Sequence, residues 1–115
     1  MAHDPLIAVR DVLREIDFLD TLSARMAFEQ FRVDATAVRA AAYSIQIISE
    51  AVRHVPEAWL AEFPSEPWAA IKATGNKIRH EYFRLDETIL WAVVTTHSQS
   101  LKVVMESILE KHGGA

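Results

Sequence analysis

Cysteine is absent from the 115 residues. That excludes disulfides, thiolate metal sites, iron–sulfur clusters and a cysteine nucleophile, and it fits a reducing cytoplasm. Glycine and proline are scarce, with 3 and 4 residues. Half of the chain is nevertheless hydrophobic by a broad count, so collagen-like, low-complexity and disordered classes are excluded as well. No apolar run approaches the roughly 18 residues of a membrane span. The opening MAHDPLIAVRDVLRE carries charges throughout and is not expected to act as a signal peptide. A surplus of positive charge is also missing. Sixteen acids outnumber 12 Lys and Arg, the net charge is −4 and the isoelectric point is about 5.7. General coating of nucleic acid needs many cationic contacts to phosphate and does not fit this balance.

The length allows one domain, residues 1–115. Apolar residues recur at helical spacing almost throughout, and no alternating strand pattern stands out. A first helix is expected from Asp4 to Leu22, with Asp4 as cap, Pro5 in the first turn and a stripe of Val9, Val12, Leu13, Ile16 and Leu19. A second starts near Asp34 and runs to about Val55. Val38, Ala41, Ile45, Ile48, Val52 and Val55 form a seam of heptad spacing along it, among several alanines. Pro56 interrupts it. A short turn, 57–63, follows.

Pro67 opens a third long helix, with Ser65 as a candidate cap. Its apolar stripe is Trp68, Ile71, Gly75, Ile78 and Tyr82, and its polar stripe is Lys72, Asn76, Arg79 and His80. The helix is expected to give way near Tyr82 to a loop, 83–85. Asp86 caps the last helix, whose inner stripe reads Leu90, Val94, His97, Leu101, Met105 and Ile108. The fold class is all-α: an antiparallel bundle of three long helices and one or two short ones. The small size and the alanine-rich seam predict a C2 homodimer.

Positive charge is concentrated in one place. Residues 72–84 hold Lys72, Lys77, Arg79 and Arg84 against Glu81 alone, a local excess of three in an acidic chain. Asn76, Arg79 and His80 stand at i, i+3 and i+4 and share one side of a helix. A histidine can move protons near neutral pH. An arginine can grip a phosphate and stabilise its developing charge, and an asparagine can position a hydroxyl. Attack of a ribose 2′-hydroxyl on the adjacent phosphate needs no metal, so the set suits a metal-independent ribonuclease. The same residues also read as a solvated polar face with His80 at the helix end. Gly75 within the helix costs about 1 kcal/mol against alanine and points to a close approach there. Trp68, Tyr82 and Phe83 offer aromatic surface on which an RNA base can stack. The acids and the histidines show no metal-ligand spacing, and no phosphate-binding glycine loop is present. Glu50 on the second helix is a candidate partner for Arg79 or His80, or a plain surface acid. His97 reads as a buried histidine or one at a dimer seam.

Residues 64–91, PSEPWAAIKATGNKIRHEYFRLDETILW, resemble the core motif of the HepT-like HEPN family. That pattern runs Pro-Trp, about six residues, Arg-Asn, three residues, His-x-Tyr-Phe, then an Asp-led helix with a Trp. Upstream, residues 31–56 resemble the family's Phe-x-x-Asp segment and its Ile-Ile-Gly-Glu-Ala helix, here Ile47-Ile48-Ser49-Glu50-Ala51, and RDVLREID at 10–17 matches its first helix. The resemblance implies a homodimeric all-α endoribonuclease without a cofactor, the toxin half of a toxin–antitoxin pair, acting on RNA. Its implied partner is a nucleotidyltransferase antitoxin of the MNT type, which silences the toxin by adding AMP to the motif tyrosine. Carried over, His80 matches the catalytic histidine, Asn76 the polar residue after the arginine, and Tyr82 the modified tyrosine. Lys72, Lys77 and Arg84 are candidate RNA contacts. Gly75 stands where the family has its arginine, which makes Arg79 a candidate for a relocated arginine, reaching over the space that Gly75 leaves. The alternative is a catalytically degenerate module that binds a nucleotidyltransferase.

Overall fold

The structure, a computed structural model, describes residues 4–81 and 86–113. Among them there is no strand. The helices are α1 (Pro5–Ala24), α2 (Phe28–Phe31), α3 (Ala35–Val52), α4 (Glu57–Leu60), α5 (Trp68–His80), α6 (Glu87–Ala92) and α7 (Ser98–His112). A π-helical turn, Val93–His97, joins α6 to α7, so these form one continuous rod. The long helices therefore number four rather than three.

The expected caps hold the ends of the long elements. The Asp4 carboxylate accepts the Leu6 N–H at 2.9 Å, and Asp34 accepts the Ala37 N–H at 3.0 Å. Asp86 accepts the Thr88 N–H at 2.8 Å. α5 differs: Pro67 stands at its N-cap without a side-chain hydrogen bond, and Ser65 makes none there. The start of α5 is held instead by Trp68, whose indole N–H is shared between the carbonyls of Leu60 at 2.9 Å and Phe63 at 3.0 Å.

The core brings Val9, Val12, Ile16 and Leu19 of α1 against Ala41, Ile45, Ile48 and Val52 of α3, with Val94, Met105 and Ile108 from the last rod. Burying each Val, Ile or Leu contributes about 1.5–3 kcal/mol. The seam of α3 is thus used up inside the subunit. It does not supply the dimer surface that its alanines suggested.

Two local features escaped the periodicity. α2 lies between the first two expected helices. It buries Phe31 completely, and Phe31 packs on Trp91 with ring centroids 4.9 Å apart. The π-helical turn closes with i→i+5 bonds, so it holds one residue more than an α-helical turn and shifts the inward register of the last rod. Leu90 and Val94 are followed inward by Ser98 and Leu101, and His97 turns outward into exposure. Ser98 tolerates the core because its hydroxyl donates to the Val94 carbonyl at 2.8 Å. The expectation of a buried His97 is corrected by this change of register.

Candidate active site on the α3–α5 seam

α5 packs along α3, and one contact sets how closely. Gly75 is buried against Ser49, where a Cβ would lie 2.7 Å from the serine Oγ and 2.8 Å from its Cβ. The Gly75 N–H donates to the Ser49 hydroxyl at 3.0 Å, and that hydroxyl donates to the Lys72 carbonyl at 2.9 Å. The glycine inside the helix is therefore a packing requirement. Ser49 fills the space beside it, so Gly75 leaves no opening there for Arg79 to reach over. The motif that the sequence resembles has glycine at the place of Ser49 and arginine at the place of Gly75. Here the glycine is on the other helix.

Arg79 has another neighbour. Its Nη2 lies 3.7 Å from a carboxylate oxygen of Glu50, so the candidate pairing with α3 is the one found. Both side chains are about half exposed, 51% and 56%. Such a surface pair contributes about 0–1 kcal/mol, which a phosphate can outbid. At 100° per residue, Asn76 lies between Arg79 and His80 around α5. All three are exposed, and no described residue hydrogen-bonds the side chains of Asn76 or His80. They share one solvent-facing flank. Lys77, Arg79 and His80 also fall in the last turn of α5, where cations complement the helix dipole.

The other candidates separate. Lys72 lies on the stripe of Arg79, seven residues back, but its ammonium is paired with Glu57 and its side chain is only 22% exposed. Lys77 is about 160° around α5 from Arg79 and does not share the flank. Trp68 is 12 residues before His80, about 18 Å along the axis, so it does not stack at this site. Tyr82, Phe83 and Arg84 lie outside the described residues.

Two cavities flank the seam. One of about 420 Å³ lies on the opposite side of α5 from Asn76, walled by Ile45, Ile48, Ile71 and Leu101, with His97 among its lining. A smaller one of about 250 Å³ lies between the start of α1 and the end of α3, lined in part by Asp4, Asp11, Glu50 and His54. Among the described residues no three His, Asp or Glu side chains are grouped to hold a metal ion. No described helix is long and apolar enough to cross a membrane.

The sequence pattern of the HepT-like ribonucleases matches residues 12–108. The chain belongs to that family. A protein carrying an RNase name in Caldanaerobacter subterraneus subsp. tengcongensis is 31% identical over 100 residues, covering 87% of this chain and 89% of that protein. One carrying the name ribonuclease HepT in Thermococcus cleftensis is 27% identical, covering 87% and 91%. Another with an RNase name in Methanocaldococcus jannaschii is 27% identical, covering 90% and 86%. No solved structure matches the chain. Arg53, at the end of α3, donates to the Lys72 carbonyl of α5 at 2.9 Å, a contact that the sequence did not point to. The signal for the residue itself was its place one turn after Glu50 in the α3 segment that the family pattern covers.

Proposed function

We propose that this HepT-like protein is a metal-independent endoribonuclease, the toxin of a toxin–antitoxin pair, working in the cytoplasm. The observation that carries the reading is the exposed flank of α5, where Arg79, Asn76 and His80 stand together and, among the described residues, Arg79 is restrained only by a surface pair with Glu50. The bound RNA phosphate displaces the Glu50 carboxylate from Arg79. His80 removes the ribose 2′-hydroxyl proton as the oxygen attacks the adjacent phosphorus. Arg79 stabilises the negative charge gathering on the phosphoryl oxygens, and Asn76 orients the sugar or phosphate. Bond formation to the 2′-oxygen accompanies loss of the 5′-oxygen, which takes a proton from water, leaving a cyclic phosphate, a 5′-hydroxyl and the 2′-proton on His80.

Two subunits pair to complete a cleft. The surface that supports pairing is the outer stripe of α3, where Tyr43 is 67% exposed and shares a side with Ile47 and Glu50, with exposed Ile7 on neighbouring α1. A nucleotidyltransferase antitoxin of the MNT type silences the enzyme by adding AMP to Tyr82, whose phosphate then competes for the cations that RNA needs.

The test is cleavage of RNA by the purified protein in EDTA, with His80→Ala as control. Cleavage that persists in EDTA and vanishes in His80→Ala is expected. Co-expression with a cognate nucleotidyltransferase of the MNT type should add AMP mass to the peptide holding Tyr82, and Tyr82→Phe should remove the shift. A second reading rests on one observation: position 75, the family's arginine, is a glycine sealed under Ser49. On that reading the protein is a degenerate module that binds the nucleotidyltransferase without cutting RNA. Absence of cleavage with AMP addition intact would select it.

A further inference from the structure

Arg53 is the first residue beyond α3, and its Nη2 donates to the Lys72 carbonyl on α5 at 2.9 Å. That bond holds the side chain across the gap between the helices. The acceptor is a neutral carbonyl, so the guanidinium is oriented without its charge being cancelled. Nearby cations differ on this point. Lys72 is matched by Glu57 and Arg79 faces Glu50, whereas no described carboxylate pairs with Arg53. Arg53 is exposed and has further N–H groups beyond the one that it uses here.

Its position relative to the candidate site follows from helix geometry. Lys72 and Arg79 are seven residues apart, about 10 Å along α5 and about 20° around it. The side chain of Arg79 leans back toward the N-terminus of α5, which shortens the gap to Arg53. The two guanidinium groups therefore follow one another along the α3–α5 seam, on the flank that carries Asn76 and His80. Single-stranded nucleic acid is held by cations spaced along a groove that tracks its backbone, and a planar guanidinium suits a phosphate bidentately.

We propose that Arg53 is a second phosphate-binding residue, holding the RNA backbone phosphate beside the one gripped by Arg79. This rests on the ribonuclease reading and adds a direction to it: the strand runs along the seam from His80 toward the end of α3. Arg53 takes no part in the chemistry. It lengthens the footprint on single-stranded RNA by one phosphate, without regard to base.

The experiment measures binding of a fluorescein-labelled single-stranded oligoribonucleotide by anisotropy, between 50 and 200 mM salt, as is usual for such titrations. The full chain carries His80→Ala so that the probe stays intact. Arg53→Gln keeps a hydrogen-bond donor for the Lys72 carbonyl and removes the charge. It should weaken binding on the order of tenfold at the lowest salt. The slope of log K against log salt should become shallower by about 0.7, the release expected for one phosphate of a single strand. Arg53→Lys should keep the slope. Arg25→Gln should change neither quantity, because Arg25 ends α1 about 21 Å along the helix from Asp11, which lines the cavity beside Glu50. An unchanged slope in Arg53→Gln overturns the proposal, whether affinity stays or falls. If wild type still cleaves RNA in that case, the ribonuclease reading survives alone. If wild type neither binds nor cleaves RNA, both fall.

Discussion

Ser49 and Gly75 touch so closely that one of the two positions must be glycine for the helices to keep their spacing. Gly75→Ala puts a Cβ against the Ser49 side chain and should cost about 1–3 kcal/mol in urea unfolding, a typical overpacking penalty. Gly75→Arg alone should fail more severely. Pairing it with Ser49→Gly clears the obstructing atoms, so the double variant should recover much of the loss and return the family's arginine to its place. Additive losses in the two single variants would show that the contact is not the constraint. The exposed residues behave oppositely. His80→Ala and Arg79→Ala remove side chains that pack little, so unfolding free energies should stay within about 0.5 kcal/mol of wild type while RNA cleavage is lost. Unchanged cleavage in Arg79→Ala would remove Arg79 from the mechanism.

At the scale of elements, the end of α7 is tied to α4 and the segment just after it. The His112 ring stacks on Trp59 with centroids 4.1 Å apart, its Nε2 lies 2.9 Å from a Glu62 oxygen, and Lys111 reaches the other oxygen at 3.0 Å. The hydrogen bond from His112, and then that from Lys111, hold the Glu62 carboxyl below its ordinary value of 4.5. A carboxylate with a depressed folded-state value stabilises the fold above its ordinary value, and the effect disappears as pH falls through the depressed one. Glu62→Gln should therefore lower the melting temperature at neutral pH. The gap to wild type should close as the solution is acidified below about pH 4.5. A gap independent of pH would mean that the carboxylate charge is not what ties these elements.

At the scale of the molecule, the apolar surface left after folding is the surface on which a proposed second copy would pack. The α3 seam is consumed in the core, and the outer stripe around Tyr43 and Ile47 remains. Tyr43 and Glu50 are two turns apart on one side of α3, so pairing there brings both Arg79 flanks toward the two-fold axis. Light scattering should give twice the 13.0 kDa chain mass at micromolar concentration. Tyr43→Glu should yield a folded monomer with little cleavage. A wild-type monomer that still cuts RNA would refute the paired cleft.

Helix existence, the caps at Asp4, Asp34 and Asp86, and the core faces of α1 and α3 were legible in the linear pattern. Each depends on neighbours within a few residues, where spacing and local hydrogen bonds decide the outcome. The polar cluster 76–80 was legible for the same reason, and so was the family, through motifs spread along most of the chain. Other features depended on a second helix. The reason for Gly75 became visible only when Ser49 was brought against it, and Arg53 acquired its place by reaching a carbonyl 19 residues away. The turn at 93–97 rotated His97 out of the stripe that a uniform 3.6-residue period assigned to it, because a π-helical step breaks that period. Local chemistry settled which residues form helices and which carry charge, whereas packing between helices decided which of those charges face one another.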